Sequence, residues 1–166
     1  MSPLVELLQP GVHSIWVWRG LKQLASWFQE LKIGKAMQEE VLGLLGEISK
    51  KNIDELARIT KKKFELSMQG TNPRLSDFKH KRKERNLRIL CLVRNSNIIL
   101  LHAFDKDSRE TPLRDKRNAE RRAKQLNRRI EEHGSLEAIA ALKLDEEEEQ
   151  EDEVVDLGDD QEWAAE

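Results

Sequence analysis

Two apolar runs, residues 87–93 and 98–104, are separated only by Arg94-Asn95-Ser96-Asn97. A connection that short and polar between two strand-like runs predicts an antiparallel hairpin. The period of two begins earlier, after Gly70-Thr71-Asn72-Pro73, a segment of turn formers that breaks the preceding pattern. Residues 75–83 alternate loosely, so three consecutive antiparallel strands are expected.

The chain before that break has another period. Ile15-Trp16-Val17-Trp18 reads as a first strand after a short lead that ends in Pro10-Gly11. Leu21, Leu24, Ala25, Phe28 and Leu31 then recur at helical spacing, with Gly34 as a stop. Met37, Val41, Leu44, Leu45 and Ile48 give a second amphipathic helix, and Asn52 can cap a third carrying Ile53, Leu56, Ala57 and Phe64. After the strands, Thr111 is expected to cap a helix with Pro112 in its first position. Ala119, Ala123, Leu126 and Ile130 form its apolar stripe, Gly134 ends it, and Ser135 caps a short helix over 136–143. Helices beside an antiparallel meander predict an α+β fold: an N-terminal strand and helices packed on a small antiparallel sheet, then a C-terminal helix.

Charge divides the chain. Residues 1–144 hold 29 Lys and Arg against 18 Asp and Glu, a net charge of +11, while residues 145–166 hold 13 acids and no base. The expected organisation is a basic domain over 1–144 and an acidic tail over 145–166 that buries too little apolar surface to order itself. A basic body points to a polyanionic partner. The tail, with Val154, Val155, Leu157 and Trp163 as apolar points, is either a solvated appendage or a competitor for that body. There is no apolar run of 18 residues and no leader pattern, so a cytoplasmic protein without a membrane span is expected. Cys91 stands alone, which excludes an internal disulfide and a cysteine-built zinc site; a buried strand position is expected for it.

The densest candidate for chemistry is Lys79-His80-Lys81-Arg82-Lys83-Glu84-Arg85, with Arg88 following. In an extended strand Lys79, Lys81 and Lys83 share one side and His80 and Arg82 the other. Ammonium groups in a row can track phosphates and neutralise charge that develops during phosphoryl transfer. A 2′-hydroxyl beside the scissile phosphate is an internal nucleophile, so the protein need supply only positioning, a base and an acid. His80, His102 or a lysine with a lowered pKa, such as Lys81, could be the base. The competing reading is a solvated basic hairpin with a satisfied structural His102. His13 and His133 read as structural, Trp16, Trp18 and Trp27 as core, and the Arg121, Arg122, Lys124, Arg128, Arg129 cluster as a wet helix face or an RNA contact.

Leu75-Ser76-Asp77-Phe78-Lys79 followed by Asn86-Leu87-Arg88-Ile89-Leu90 resembles a paired-strand signature of the RelE/ParE toxin superfamily. The stretch from Ile98 to Lys106, then Ser108, Thr111-Pro112 and Ala119, is similar to the following strand, turn and helix of its HigB-like branch. The resemblance covers residues 75–126; it reaches 15–48 only through the order of elements. It implies a RelE-like fold and a toxin of a type II toxin–antitoxin system that cleaves mRNA on the ribosome. It also implies a cognate antitoxin, mRNA and the ribosome as partners, and neither metal nor cofactor. Carried over by position, Lys79, Lys81 and Arg88 fall on the family's basic catalytic positions; with His80 as a candidate base from its own chemistry, Lys79, His80, Lys81 and Arg88 are the expected catalytic set. Arg82, Lys83, Arg85, His102, Lys106 and Arg109 are the expected RNA contacts. Two departures stand out: the chain has no tyrosine, and Asp107 occupies a place where the branch often has a second lysine. Two alternatives stay open: a ParE-like non-cleaving inhibitor of a protein target such as DNA gyrase, and a catalytically inactive basic RNA-binding module.

Overall fold

The computed structural model describes residues 2–106 and 111–144. Arg109, Asp107 and the acidic tail lie outside the described residues. In chain order the elements are β1 (Ser2–Pro3), β2 (Val5–Gln9), β3 (Ser14–Trp18), α1 (Leu21–Glu30), α2 (Lys35–Ser49) and α3 (Ile53–Arg58). Then come β4 (Phe64–Glu65), β5 (Ser76–Arg82), β6 (Arg85–Arg94), β7 (Asn97–Asp105), α4 (Leu113–His133), α5 (Leu136–Ala140) and β8 (Lys143–Leu144). The fold is α+β. Six strands form one sheet in the order β2-β3-β7-β6-β5-β4, and β1 pairs with β8 in a small second ladder. All neighbours in the large sheet are antiparallel except β3 and β7, which run parallel.

Alternation along the strands assigns side chains to the two faces. Asp77, Lys79 and Lys81 of β5 share a face with their partners Leu90, Arg88 and Asn86 of β6, and with His102 and Phe104 of β7. Helix α4 lies on this face: Arg122 reaches His102 and stacks over Trp18, and Arg94 donates to Asn127. Its buried stripe is Ala119, Ala123, Leu126 and Ile130, the periodicity expected from the sequence. Phe78, His80 and Arg82 point the opposite way with Ile89 and Leu87, toward α1 and α2. There His80 meets Glu40 of α2, and the Arg85 guanidinium donates to the carbonyls of Leu31 and Lys32 just after α1. The core is continuous on both sides of the sheet.

Several boundaries differ from the sequence expectation for local reasons. Val5–Gln9, read as a lead, is an edge strand; only Val5 of its five residues is buried, so no alternation betrays it. Helix α1 stops at Glu30, with Lys32 in a left-handed conformation, and Gly34 is the N-cap of α2 rather than the end of α1. Its N-terminus is capped from a distance, by Glu6 Oε1 accepting from the Leu21 amide at 2.8 Å. Pro112, not Thr111, is the N-cap of α4. Asn52 does cap α3, with Glu55 closing the reciprocal bond, and Ser135 caps α5. Strand β5 ends at Arg82 because Lys83 turns the chain with φ of 54°; Lys83 therefore does not continue the row of Lys79 and Lys81. The β6–β7 turn uses Asn95, also at φ 54°, a conformation asparagine tolerates well. At Leu90/Cys91 the β6–β7 register shifts, and the carbonyl of Leu101 beside the shift accepts from Arg122 at 2.8 Å.

Because α4 is held to the sheet by this narrow stripe, Leu126→Ala is expected to destabilise the protein by about 2–5 kcal/mol through cavity formation. Lys124→Ala, on the exposed side of α4, should stay within about 0.5 kcal/mol of the parent. Urea unfolding of the two variants compares them directly.

Candidate functional site

Helix α4 covers the β3, β7 and β6 part of its face and leaves the β5 end open. Two clefts of about 430 Å³ each occupy that open part. One is lined by Lys61, Lys62, Lys79, Lys81, Asn86 and Arg88. The other is lined by Glu65, Met68, Gln69, Asp77, Lys79, Arg88, Lys106, Thr111 and Lys116. They share Lys79 and Arg88, which sit opposite each other in the β5–β6 register.

At the junction Arg88 Nη1 donates to Asp77 Oδ2 at 2.6 Å, and both side chains are largely withdrawn from water. Among the described residues Asp77 Oδ1 and Arg88 Nε have no hydrogen-bond partner. Burial raises the Asp77 pKa above the usual carboxylate value; Arg88 and then Lys79 act against that rise. Lys79 Nζ pairs with Glu65 Oε1 at 3.2 Å across from β4. The Lys106 amide bonds the Asn86 carbonyl at 2.8 Å, which ties the end of β7 to the cleft. Partial burial, and after it the charge of Arg88, lowers the Lys106 pKa from its ordinary value, while Asp77 opposes the shift. The site thus holds buried positive charge, a lysine that gives up its proton more readily than usual, and two carboxylates.

The expected site residues separate accordingly. Lys79, Lys81, Arg88 and Lys106 come together at the clefts. His80 lies on the opposite face, where its Nε2 is 3.0 Å from Glu40, and Arg82 approaches the same carboxylate at 3.5 Å. Arg85 also faces away, bridging to Asp105 at 2.8 Å, which places the Asp105 charge on the side packed by α1 and α2 rather than at the cleft. Lys83 is exposed at the β5–β6 turn. His102 is on the cleft face but under α4: its Nδ1 accepts from Arg122 at 3.1 Å and its Nε2 lies 2.5 Å from Asp115. A ring nitrogen that accepts from a guanidinium carries no proton, so the imidazole is neutral with Nε2 donating to Asp115. Burial lowers its pKa, Asp115 acts against that, and Arg122 reinforces it. His13 is structural, bonding the Lys51 carbonyl through Nδ1 at 2.6 Å. Cys91 is fully buried and burial pushes its thiol pKa far up, so it supplies no thiolate.

Sequence reasoning missed Glu65, Asp77, Lys61, Lys62 and Lys116. Asp77 stood inside the motif that carried the resemblance, and Lys61-Lys62-Lys63 was a visible basic run. Glu65 belongs to a strand of two residues, too short for any period to reveal. Among the described residues no group of three or more His, Cys, Asp or Glu side chains is placed to hold a metal ion, and no helix is long and apolar enough to cross a membrane.

The family model described as phage derived protein Gp49-like (DUF891) matches residues 26–124, from within α1 to the middle of α4. The chain belongs to the Gp49-like family. This family is one of RelE-like type II toxin–antitoxin toxins, so a cognate antitoxin is implied as a partner. The match takes in the second half of α1 and nearly all of α2, which the sequence resemblance had reached only by order of elements, and α3, which it had not reached. Comparison with curated proteins and with solved structures gives no match.

The His102 environment of this Gp49-like chain sets a pH dependence. With its folded pKa below the unfolded value of about 6.5, the unfolded state binds the proton more readily. Stability from this residue is full above that pH and is lost as pH falls through it. Urea midpoints measured from about pH 7.5 to about 5.5 should fall more steeply for the parent than for His102→Gln. Identical slopes would show that His102 titrates alike in both states.

Proposed function

We propose that this chain is the toxin of a type II toxin–antitoxin pair and cleaves ribosome-bound mRNA through attack of a 2′-hydroxyl on the adjacent phosphate, as HigB-like relatives of the superfamily would. The observation that carries this reading is the junction of the two clefts. There Arg88, Lys79 and Lys106 converge beside Asp77 and Glu65 on the β5 part of the sheet face, which α4 leaves open.

In this mechanism Arg88 is held in place by Asp77 before substrate arrives, so its positive charge needs no reorganisation when charge builds on the phosphate. Lys79 exchanges its bond to Glu65 for a phosphate oxygen, which releases the Glu65 carboxylate near the 2′-hydroxyl as a proton acceptor. Lys106, with its lowered pKa, returns a proton to the leaving 5′-oxygen. The bond formed is O2′–P and the bond broken is P–O5′, giving a 2′,3′-cyclic phosphate and a 5′-hydroxyl. His80 and His102 take no part: one faces α2 and the other is engaged by Asp115 and Arg122.

One observation favours a second reading, a non-cleaving RNA-binding module. Arg88 and Lys79 each have a carboxylate partner within the protein. Brief induction followed by primer extension on cellular mRNA separates the two. New mRNA ends are expected for the parent, and a reduction of at least about tenfold for Arg88→Ala and for Lys106→Ala. Lys106→Arg keeps the positive charge but holds its proton too tightly to give it up. Its in vitro cleavage of mRNA on programmed ribosomes should be slowed, and should lack the alkaline decline that deprotonation of Lys106 imposes on the parent. Folded, expressed parent protein that produces no new ends would leave the non-cleaving reading.

A further inference from the structure

The two clefts differ in one respect. Glu65 and Asp77 line the cleft that reaches Lys106, whereas the lining of the other is five cations and an amide, with no carboxylate. Of those cations Lys79 and Arg88 are paired to Glu65 and Asp77. Lys61, Lys62 and Lys81 have no ion-pair partner among the described residues and are exposed. Three like charges around one concave surface repel one another, and an anionic chain laid between them relieves that repulsion while releasing its own counterions.

The backbone that presents Lys61 and Lys62 is firmly placed. The amides of Lys63 and Phe64 both bond the Thr60 carbonyl, at 2.9 and 3.1 Å, closing a tight turn. Phe64 is buried, β4 pairs with β5 through Phe64↔Phe78 and Glu65↔Asp77, and the Lys79 amide bonds the Lys63 carbonyl at 2.9 Å. The turn is therefore an extension of the sheet edge, fixed to the same strand that carries Lys79 and Lys81.

We propose that the turn over residues 60–63 is a substrate-positioning arm. Lys61 and Lys62, with Lys81, hold backbone phosphates of single-stranded RNA to one side of the scissile phosphate, which itself sits in the carboxylate-containing cleft. This rests on the RNA reading above and adds a division of labour to it: one cleft supplies track, the other supplies proton transfer. Contacts of this kind carry no base specificity and set the register of the strand.

The test measures binding of the full chain to a short fluorescein-labelled single-stranded RNA with 2′-O-methyl groups, which cannot be cleaved, over a series of KCl concentrations. Removing two phosphate contacts should make the slope of log K against log[salt] shallower by about 1.4 in Lys61→Ala/Lys62→Ala. Lys61→Arg/Lys62→Arg should restore it, and Lys124→Ala should match the parent. On programmed ribosomes the double alanine variant should raise KM with little change in kcat. A slope equal to the parent's, or a parent that binds no RNA, overturns the arm. So does a double variant that keeps RNA affinity but loses binding to a synthetic peptide of residues 145–166, which would make the cleft an acidic-peptide site. Failure of the arm with new mRNA ends still present leaves the cleavage reading standing; a changed slope without new ends leaves an RNA-binding arm on a non-cleaving protein.

Discussion

Arg88 and Asp77 leave water together where β6 passes β5 at the margin of α4, and the open site is arranged around that pair. Withdrawing two charges costs several kcal/mol for each ion, and their attraction offsets this only when the geometry is good. A well-packed apolar pair would commonly serve stability as well or better. The single 2.6 Å bond, with one Asp77 oxygen and Arg88 Nε left without described partners, is therefore poorly explained as a stabilising device. It is well explained as an electrostatic one: a guanidinium fixed in position, next to Lys79 in register and near enough to Lys106 to add to the lowering of its pKa that burial begins.

The position of α4 determines which cations are free to act. Its stripe of Ala119, Ala123, Leu126 and Ile130 covers only the middle of one sheet face, and its polar residues are drawn into structural roles there. Arg122 stacks over Trp18 at 3.9 Å, bonds the Leu101 carbonyl and fixes the His102 tautomer. On the opposite face, α1 and α2 take Arg85 and His80 in the same way. A basic run that looks uniform along the sequence is thus split by strand alternation into cations that hold the fold and cations that line a cleft.

The β5–β6–β7 meander was legible because both turns are short and the apolar runs of β6 and β7 are buried along nearly their whole length. The stripe of α4 and the caps at Asn52 and Ser135 were legible because each is a local pattern. Strand β2 was not, since an edge strand with four of five residues outside the core shows no alternation. The parallel pairing of β3 with β7 was not, because it joins segments some eighty residues apart through contacts that leave no local trace. At the site, alternation correctly separated Lys79 and Lys81 from His80 and Arg82, but it could not say which side α1 and α2 would pack against. That is why His80 stood beside the lysines as a candidate base, while Glu65, the carboxylate facing Lys79, escaped notice.

The central claim is that this cleft turns a 2′-hydroxyl against its own phosphate. The most direct measurement is mass spectrometry of the products when purified protein acts on ribosomes programmed with synthetic mRNA, alongside the same mRNA carrying a single 2′-deoxy sugar at the cleaved nucleotide. The account predicts an upstream fragment ending in a 2′,3′-cyclic phosphate, a downstream fragment with a 5′-hydroxyl, and no cleavage at the deoxy position. Fragments bearing 5′-phosphates, or unimpeded cleavage beside the deoxy sugar, would contradict it.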